Sequence, residues 1–416
     1  MGNYFSLTAD EQSARYYGWL VVGVMFLTMS FGGSIVGTFP IFYVAFLEEF
    51  GWSRAETALA FSASMVTFAL MAGVVGAMVD RWGPKVVMPV GIALLGAGLA
   101  LTSTTSSLVT LYVYYGVISA LGITMIGFVP TSTVVSQWFI KRRATAMGVA
   151  LSGRNFGSML FVPLAAFLIG WIGWRLTYIA FAVGIVAFLF PLNLFLHNNR
   201  PYSFIDMSED RERKNWTLRQ ALWHPVFWFF FVSGMAQGVG FSVIGIHQVA
   251  HMVDVGFSKI MAASLLGIFA ILRALGGVSG GWIADRFGRN RTFVSMSLLS
   301  IVGVYCLMVA TPEKWLYIYF FVLFFGISGG ARGTVFVALK ADMFPGSSFG
   351  RILGVSLVGT GIASGFGPWL AGYIFDVSGS YQIAFWFVIA MNLLSIIFVV
   401  MAVTVSKREQ QRKLSN

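Results

Sequence analysis

Twelve apolar stretches follow one another down this chain, each close to the length that a helix needs to cross a bilayer core. That requirement is about 20 residues at about 1.5 Å rise for a core about 30 Å thick. They fall at roughly 18–46, 55–79, 86–104, 108–135, 144–169 and 176–196, then 225–252, 260–284, 292–311, 315–339, 352–375 and 382–405. In lipid every backbone polar group must be satisfied within its own segment, so stretches of this length are predicted to be helices. Composition leaves no other class open, because 57% of the 416 residues are hydrophobic and only 10% charged. No soluble fold hides that much apolar surface.

The stretches divide into two sets of six. Gly76-Ala77-Met78-Val79-Asp80-Arg81-Trp82-Gly83-Pro84-Lys85 returns 205 residues later as Gly281-Trp282-Ile283-Ala284-Asp285-Arg286-Phe287-Gly288-Arg289-Asn290. Gly51-Trp52-Ser53-Arg54 returns at the same offset as Gly256-Phe257-Ser258-Lys259, and Met147–Gly153 matches Leu353–Gly359 one residue out of step. Two matches at one offset indicate duplication, and an even number of spans per repeat makes the halves parallel. The predicted fold is an all-α polytopic membrane protein with twelve transmembrane helices in two six-helix halves. Its expected parts are a tail at 1–17, a first half at 18–196, a linker at 197–223, a second half at 224–405 and a tail at 406–416.

A net charge of +11 raises the question of a polyanionic partner, and the placement of the bases answers it. Of the 27 Lys and Arg, 20 fall in segments predicted to be cytoplasmic, 4 in outer loops and 3 within spans. This is the positive-inside asymmetry; it puts both termini in the cytoplasm and leaves no need for nucleic acid. The first span is expected to be an uncleaved signal anchor, and short loops suit an inner (plasma) membrane. The charge run Ser208–Lys214 in the linker is expected to be a solvated face. Cys306, the single cysteine, lies in a span and reads as packing.

With these residues in hand, the chain resembles the major facilitator superfamily over essentially its whole length. Gly76, Asp80, Arg81, Gly83 and Lys85, with Gly281, Asp285, Arg286, Gly288 and Arg289, look like that superfamily's loop motif between its second and third and its eighth and ninth helices. Glu49–Ala55 and Trp138–Ala144 further resemble the monocarboxylate porters and the oxalate/formate exchangers. The resemblance implies two halves around a central cavity, alternating access, and carriage of a small carboxylate coupled to protons or to a counter-anion. In those relatives an arginine of the eighth helix lies eight residues before the motif aspartate; that position here is Gly277, and Arg273 stands one turn away on the same face.

Three cations lie inside spans: Arg154, Arg273 and Arg332. A cation at the bilayer centre costs about 2.5–3.5 kcal/mol on insertion scales, so such residues face a partner or a wet cavity. None of the 16 Asp and Glu falls in the middle of a span, so no internal counter-ion is evident. The duplication separates these cations from the scaffold: Arg154 is matched by Thr360, Arg273 by Phe68, and Arg332 loosely by Gly122. Arginine's planar fork binds carboxylate through two parallel hydrogen bonds, so all three are assigned to substrate binding and the ligand is expected to be a small organic anion. The alternative for Arg332 is hydrogen bonding to helix carbonyls, and for Arg154 snorkelling toward water.

His247 and His251, four apart on one face of the seventh span, are the candidates for proton coupling; the alternative is that they sit in a wet vestibule. The twin Asp-Arg turns are assigned to gating, with Asp80 and Asp285 pairing with Arg81, Arg286 or neighbouring bases. No phosphate-binding loop, metal cluster or nucleophile with a base appears, so the expectation is a gradient-driven carrier, not an enzyme, without cofactor and working as a monomer in the lipid bilayer. Two rivals are an exporter of amphipathic compounds and a transport-inactive membrane sensor. The first would be expected to hold an intramembrane carboxylate, and the second a large soluble signalling domain.

Overall fold

The computed structural model describes residues 17–139, 143–196, 216–345 and 349–415. The charge run at 208–214, Lys141, Arg142 and the Asp80 side chain lie outside the described residues. Secondary structure among those described is helical throughout, in the order α1 Tyr17–Phe50, α2 Arg54–Trp82, α3 Pro84–Ser103, α4 Leu108–Leu111, α5 Ala120–Ile126, α6 Phe128–Trp138, α7 Arg143–Leu196 and α8 Leu218–Trp223. There follow α9 Pro225–Asp254, α10 Lys259–Phe287, α11 Arg289–Val309, α12 Leu316–Met343, α13 Phe349–Ser378 and α14 Gln382–Ser415.

Eleven of these runs are long and apolar enough to span a bilayer, and one of them, Ala146–Leu194, has 49 residues. That length is more than twice a hydrocarbon core. Gly173 resolves the excess: at φ 78° and ψ 163° it breaks α7 into two helices, giving the twelve spans the sequence predicts. The fourth span is less regular than its pattern suggests. It passes from α4 through a π-helical stretch, Tyr112–Ser119, into α5 and then α6. In the π stretch Ser119 Oγ donates to the carbonyl of Tyr114, five residues back.

The duplication is written into the backbone. Among the described residues the positive-φ positions are all glycine: Gly51, Gly83, Gly173, Gly256, Gly288 and Gly379. They form three pairs, 51 with 256, 83 with 288 and 173 with 379, at the repeat offset of 205 or 206. Each pair closes an equivalent helix-to-helix turn in a conformation that a Cβ disfavours. The helix that follows the first pair of turns is capped alike in both halves, with Ser53 Oγ accepting from Glu56 N and Ser258 Oγ from Met261 N.

The chain forms two compact units: unit 1 is residues 1–51 with 63–205, and unit 2 is residues 52–62 with 206–416. The first turns of α2 thus belong to unit 2 and the rest of that helix to unit 1. Close approach through small residues governs the packing inside each unit, since lipid gives helices no hydrophobic reason to associate. In unit 1, α1 lies so near α7 that a Cβ on Gly157 would stand 1.9 Å from the Ser30 carbonyl and one on Gly153 2.2 Å from that of Phe26. In unit 2 the equivalent pair is α9 and α13, where a Cβ on Gly238 would meet Ser364 Oγ and the Thr360 carbonyl at 2.7 Å. Gly98 against Ser119 in unit 1 likewise repeats as Gly303 against Phe325 in unit 2.

Candidate functional site

Arg154 projects from the first half of α7 and is exposed. Its base is seated on Gly33 of α1, where a Cβ would come within 2.5 Å of Arg154 Cγ and 2.9 Å of its Cα. Glycine there lets the arginine stem lie flat on the α1 backbone. A turn further along, Gly37 meets Ser158 in the same way, and Ser158 Oγ donates to the Arg154 carbonyl. The equivalent interface in unit 2 places Thr360 over Gly238, so the two units share the glycine seat and differ in what sits on it. A cavity of about 200 Å³ lies between α1 and α7 of unit 1, walled by Phe31, Ile35, Phe161, Leu164, Phe181 and Ile185. Its lining is apolar but for Ser34 and includes no site arginine, so it is not taken as the anion site.

Arg273 of α10 is half-buried, with its guanidinium carbon 4.2 Å from the centroid of the Phe241 ring on α9. A ring face at this distance supports a cation. Arg332 of α12 is placed differently. It is 6% exposed, its Nη1 donates to Ser300 Oγ of α11 at 2.8 Å, and its Nε has no hydrogen-bond acceptor. Lys340, two turns on, is also buried; its Nζ donates to Ser356 Oγ and lies 4.2 Å from the Phe336 ring centroid. Nothing in the sequence singled Lys340 out, because it reads as the first base beyond a span.

The two histidines are buried in unit 2. His247 is wholly enclosed, with Nδ1 3.0 Å from the Tyr381 hydroxyl and Nε2 2.8 Å from the Pro368 carbonyl. His251 is 6% exposed, with Nε2 3.1 Å from the Leu307 carbonyl and its ring edge-on to Phe385. Arg54, at the start of α2, completes this cluster. It donates to the Tyr381 hydroxyl at 2.8 Å, pairs with Asp254 at 2.8 Å, and lies 3.8 Å from the Phe375 ring centroid. Asp376 accepts from the backbone N–H groups of Arg54 and Ala55 at 2.9 and 2.8 Å, so its carboxylate caps the positive end of α2. The sequence marked Arg54 as part of a repeated turn and of the Glu49–Ala55 stretch; its partners lie more than 190 residues away and no local pattern announces them.

Of the loop motif, Arg289 carries the contacts in unit 2. It donates to the Ala338 carbonyl at 3.1 Å, pairs with Asp342, and stands 4.0 Å from Asp285. Arg286 lies beside the Trp282 and Phe287 rings, and Arg81 beside Trp82 in unit 1, so the motif arginines rest on aromatic rims. No group of three or more metal-binding side chains occurs among the described residues.

Twelve spans in duplicated halves define a multi-pass membrane protein, and its relatives make it a transport protein and not an enzyme. The sequence matches the Major Facilitator Superfamily over residues 20–272 and 230–416, and the chain belongs to that family. It is similar to monocarboxylate transporter 13 of Bos taurus, 26% identical over 377 residues covering 89% of this chain and 85% of that one. It is also similar to YcxA, an uncharacterized MFS-type transporter of Bacillus subtilis (strain 168), 22% identical over 371 residues, with 87% and 90% covered. Among solved structures, a D-xylose-proton symporter shares the fold with a TM-score of 0.71 at 17% identity, covering 91% of this chain and 96% of that one. A bacterial homolog of the human lysosomal transporter Spinster, inward-facing and unoccupied, gives a TM-score of 0.73 at 15% identity, with 95% and 97% covered.

Proposed function

We propose that this protein is a secondary carrier of a small organic anion of the mono- or dicarboxylate class, driven by a proton or counter-anion gradient through alternating access. The observation that carries the reading is Arg154: a guanidinium exposed midway along a membrane-spanning helix, seated on a glycine that its repeat partner Thr360 also has, with no ion pair among the described residues. A cation so placed is tolerable where it meets water or an anionic ligand, and costly against lipid. Arg273 on its Phe241 support supplies a second fork, and Arg332 a third if it exchanges Ser300 for substrate. Monocarboxylate transporters among the relatives favour carboxylate over other anions. The carrier is placed in the inner or plasma membrane with both termini cytoplasmic, working as a monomer.

Proteoliposomes challenged with a panel of radiolabelled mono- and dicarboxylates test this. Saturable uptake of at least one carboxylate, lost in Arg154→Ala and Arg273→Ala, is the expected result. Uptake of amphipathic cations in place of anions, or uptake indifferent to both substitutions, overturns it. Internal pH recorded during uptake separates proton coupling from exchange.

A further inference from the structure

Two buried hydrogen-bond donors at the enclosed arginine of unit 2 have no acceptor among the described residues. The guanidinium of Arg332 can only donate. Its Nη1 donates to Ser300 Oγ at 2.8 Å, whereas its Nε has no partner. Ser300, accepting that bond, keeps its own hydroxyl proton to give. Ser297, three residues earlier on α11, is fully buried, and its Oγ has no partner either.

The packing of α11 on α12 brings these groups to one level. Phe293 stacks on Phe336 with ring centroids 5.7 Å apart, and a Cβ on Gly303 would stand 2.9 Å from Phe325 N, so the two helices run antiparallel along the line 293–297–300–303. Ser297 lies on that line between Phe293, which faces Phe336, and Ser300, which faces Arg332. Phe336 and Arg332 are themselves four apart and share one face of α12.

The repeat shows that the scaffold does not require this polarity. Its offset of 205 carries Ser297 to Ile92 and Ser300 to Leu95, both fully buried in unit 1. Gly122, the loose match of Arg332, lies so near Leu95 that a Cβ would stand 2.5 Å from its backbone nitrogen. Where unit 1 has two aliphatic side chains closed down by a glycine, unit 2 has two hydroxyls and a cation. No carboxylate pairs with Arg332 among the described residues. An enclosed cation without a counter-charge is costly, and water would accept a hydrogen bond without cancelling the charge. A small anion does both.

We propose that Arg332, Ser300 and Ser297 form a binding site for a small inorganic monoanion of the halide class, enclosed between α11 and α12 of unit 2. A monatomic acceptor suits a position where the arginine is 6% exposed better than a carboxylate with a carbon chain attached. The site goes beyond the carriage of an organic anion and does not rest on it, because it gives Arg332 to a resident ion and leaves Arg154 and Arg273 to the carried one.

Thermal unfolding of the full chain in detergent, in sodium chloride or bromide against sodium methanesulfonate at equal ionic strength, tests the site. Either halide should raise the midpoint saturably by about 2–4 °C, as a ligand that binds only the folded state does. Arg332→Met should abolish the rise. Methionine also removes the cost of an enclosed cation, so that variant is read by its response to halide and not by its own midpoint. Ser297→Ala keeps the arginine and its bond to Ser300, and guards against a folding defect in the first variant; it should raise the half-saturating chloride concentration about tenfold. A midpoint indifferent to halide, an equal rise in Arg332→Met, or unchanged half-saturation in Ser297→Ala overturns the inference. So does a rise given by mono- or dicarboxylate salts and not by halides, and lost in Arg332→Met, which would return Arg332 to the carried anion. Anion uptake in Arg154→Ala and Arg273→Ala judges the proposed carriage separately.

Discussion

Substituting Gly33 by alanine tests the seat of Arg154. The new Cβ would stand 2.5 Å from Arg154 Cγ and 2.9 Å from its Cα, against 3.4 Å or more for ordinary contact. Relief therefore demands a shift of about 0.9 Å at the side chain and about 0.5 Å in the backbone of α7. Overpacking of this kind costs about 1–3 kcal/mol, and displacing a binding group by about 1 Å costs up to about 100-fold in rate. Gly238→Ala is the matched control from the repeat. Its Cβ would meet Thr360 and Ser364 atoms at 2.7 Å, a comparable clash with no arginine involved. Gly73→Ala, with nothing within 4 Å, should be silent. Initial uptake rates of the anion, normalised to folded protein by thermal melting in detergent, should fall about 10- to 100-fold in Gly33→Ala and much less in Gly238→Ala. Equal losses in both would show that the glycines serve packing alone. Wild-type transport in Gly33→Ala would refute the seat itself.

Four further outcomes follow from the geometry. Arg273→Ala should raise the apparent KM for the anion by about 10- to 150-fold, the equivalent of a lost charge-assisted bond of about 1.5–3 kcal/mol, in concentration-dependent uptake. Phe241→Leu should reproduce part of that rise, and Phe241→Tyr, which keeps the ring, should leave the KM at its wild-type level. Arg332→Met should leave thermal stability unchanged or higher, because a buried cation with one side-chain hydrogen bond and an unbonded Nε contributes little net stability; a drop of several degrees would show a structural ion site. Gly173→Ala should lower stability by about 1–3 kcal/mol in denaturation, since φ 78° and ψ 163° lie where a side chain is strained.

Much of the fold was legible because the bilayer imposes one rule on every segment. Hydropathy marked the spans, and their observed ends extend mostly a few residues beyond the apolar stretches, to the capping serines and turn glycines that terminate them. Pattern alone could not show that the fourth span carries a π-helical stretch, since hydrophobic residues surround it on all sides. The repeated Gly51, Gly83, Gly256 and Gly288 appeared in the sequence as matched motifs, and the structure gives the reason: each holds a positive φ at an equivalent turn.

The candidate site divides along the same line. That Arg154, Arg273 and Arg332 are the cations inside the spans, and that the repeat does not reproduce them, follows from sequence, because depth in a membrane is nearly a function of chain position. What each one touches does not follow. Arg154 rests exposed on Gly33, Arg273 stacks on Phe241 and Arg332 is enclosed beside Ser300, three environments that one substitution pattern cannot tell apart. Helical periodicity gives the face on which a residue stands, whereas its neighbour depends on how helices distant in the chain cross. For the same reason Arg54, a loop residue by sequence, is joined to Asp254, Asp376 and Tyr381 only in three dimensions. The length of the chain's apolar stretches determined the membrane and the helices, and its repeated motifs the duplication; tertiary packing alone decided which charges meet.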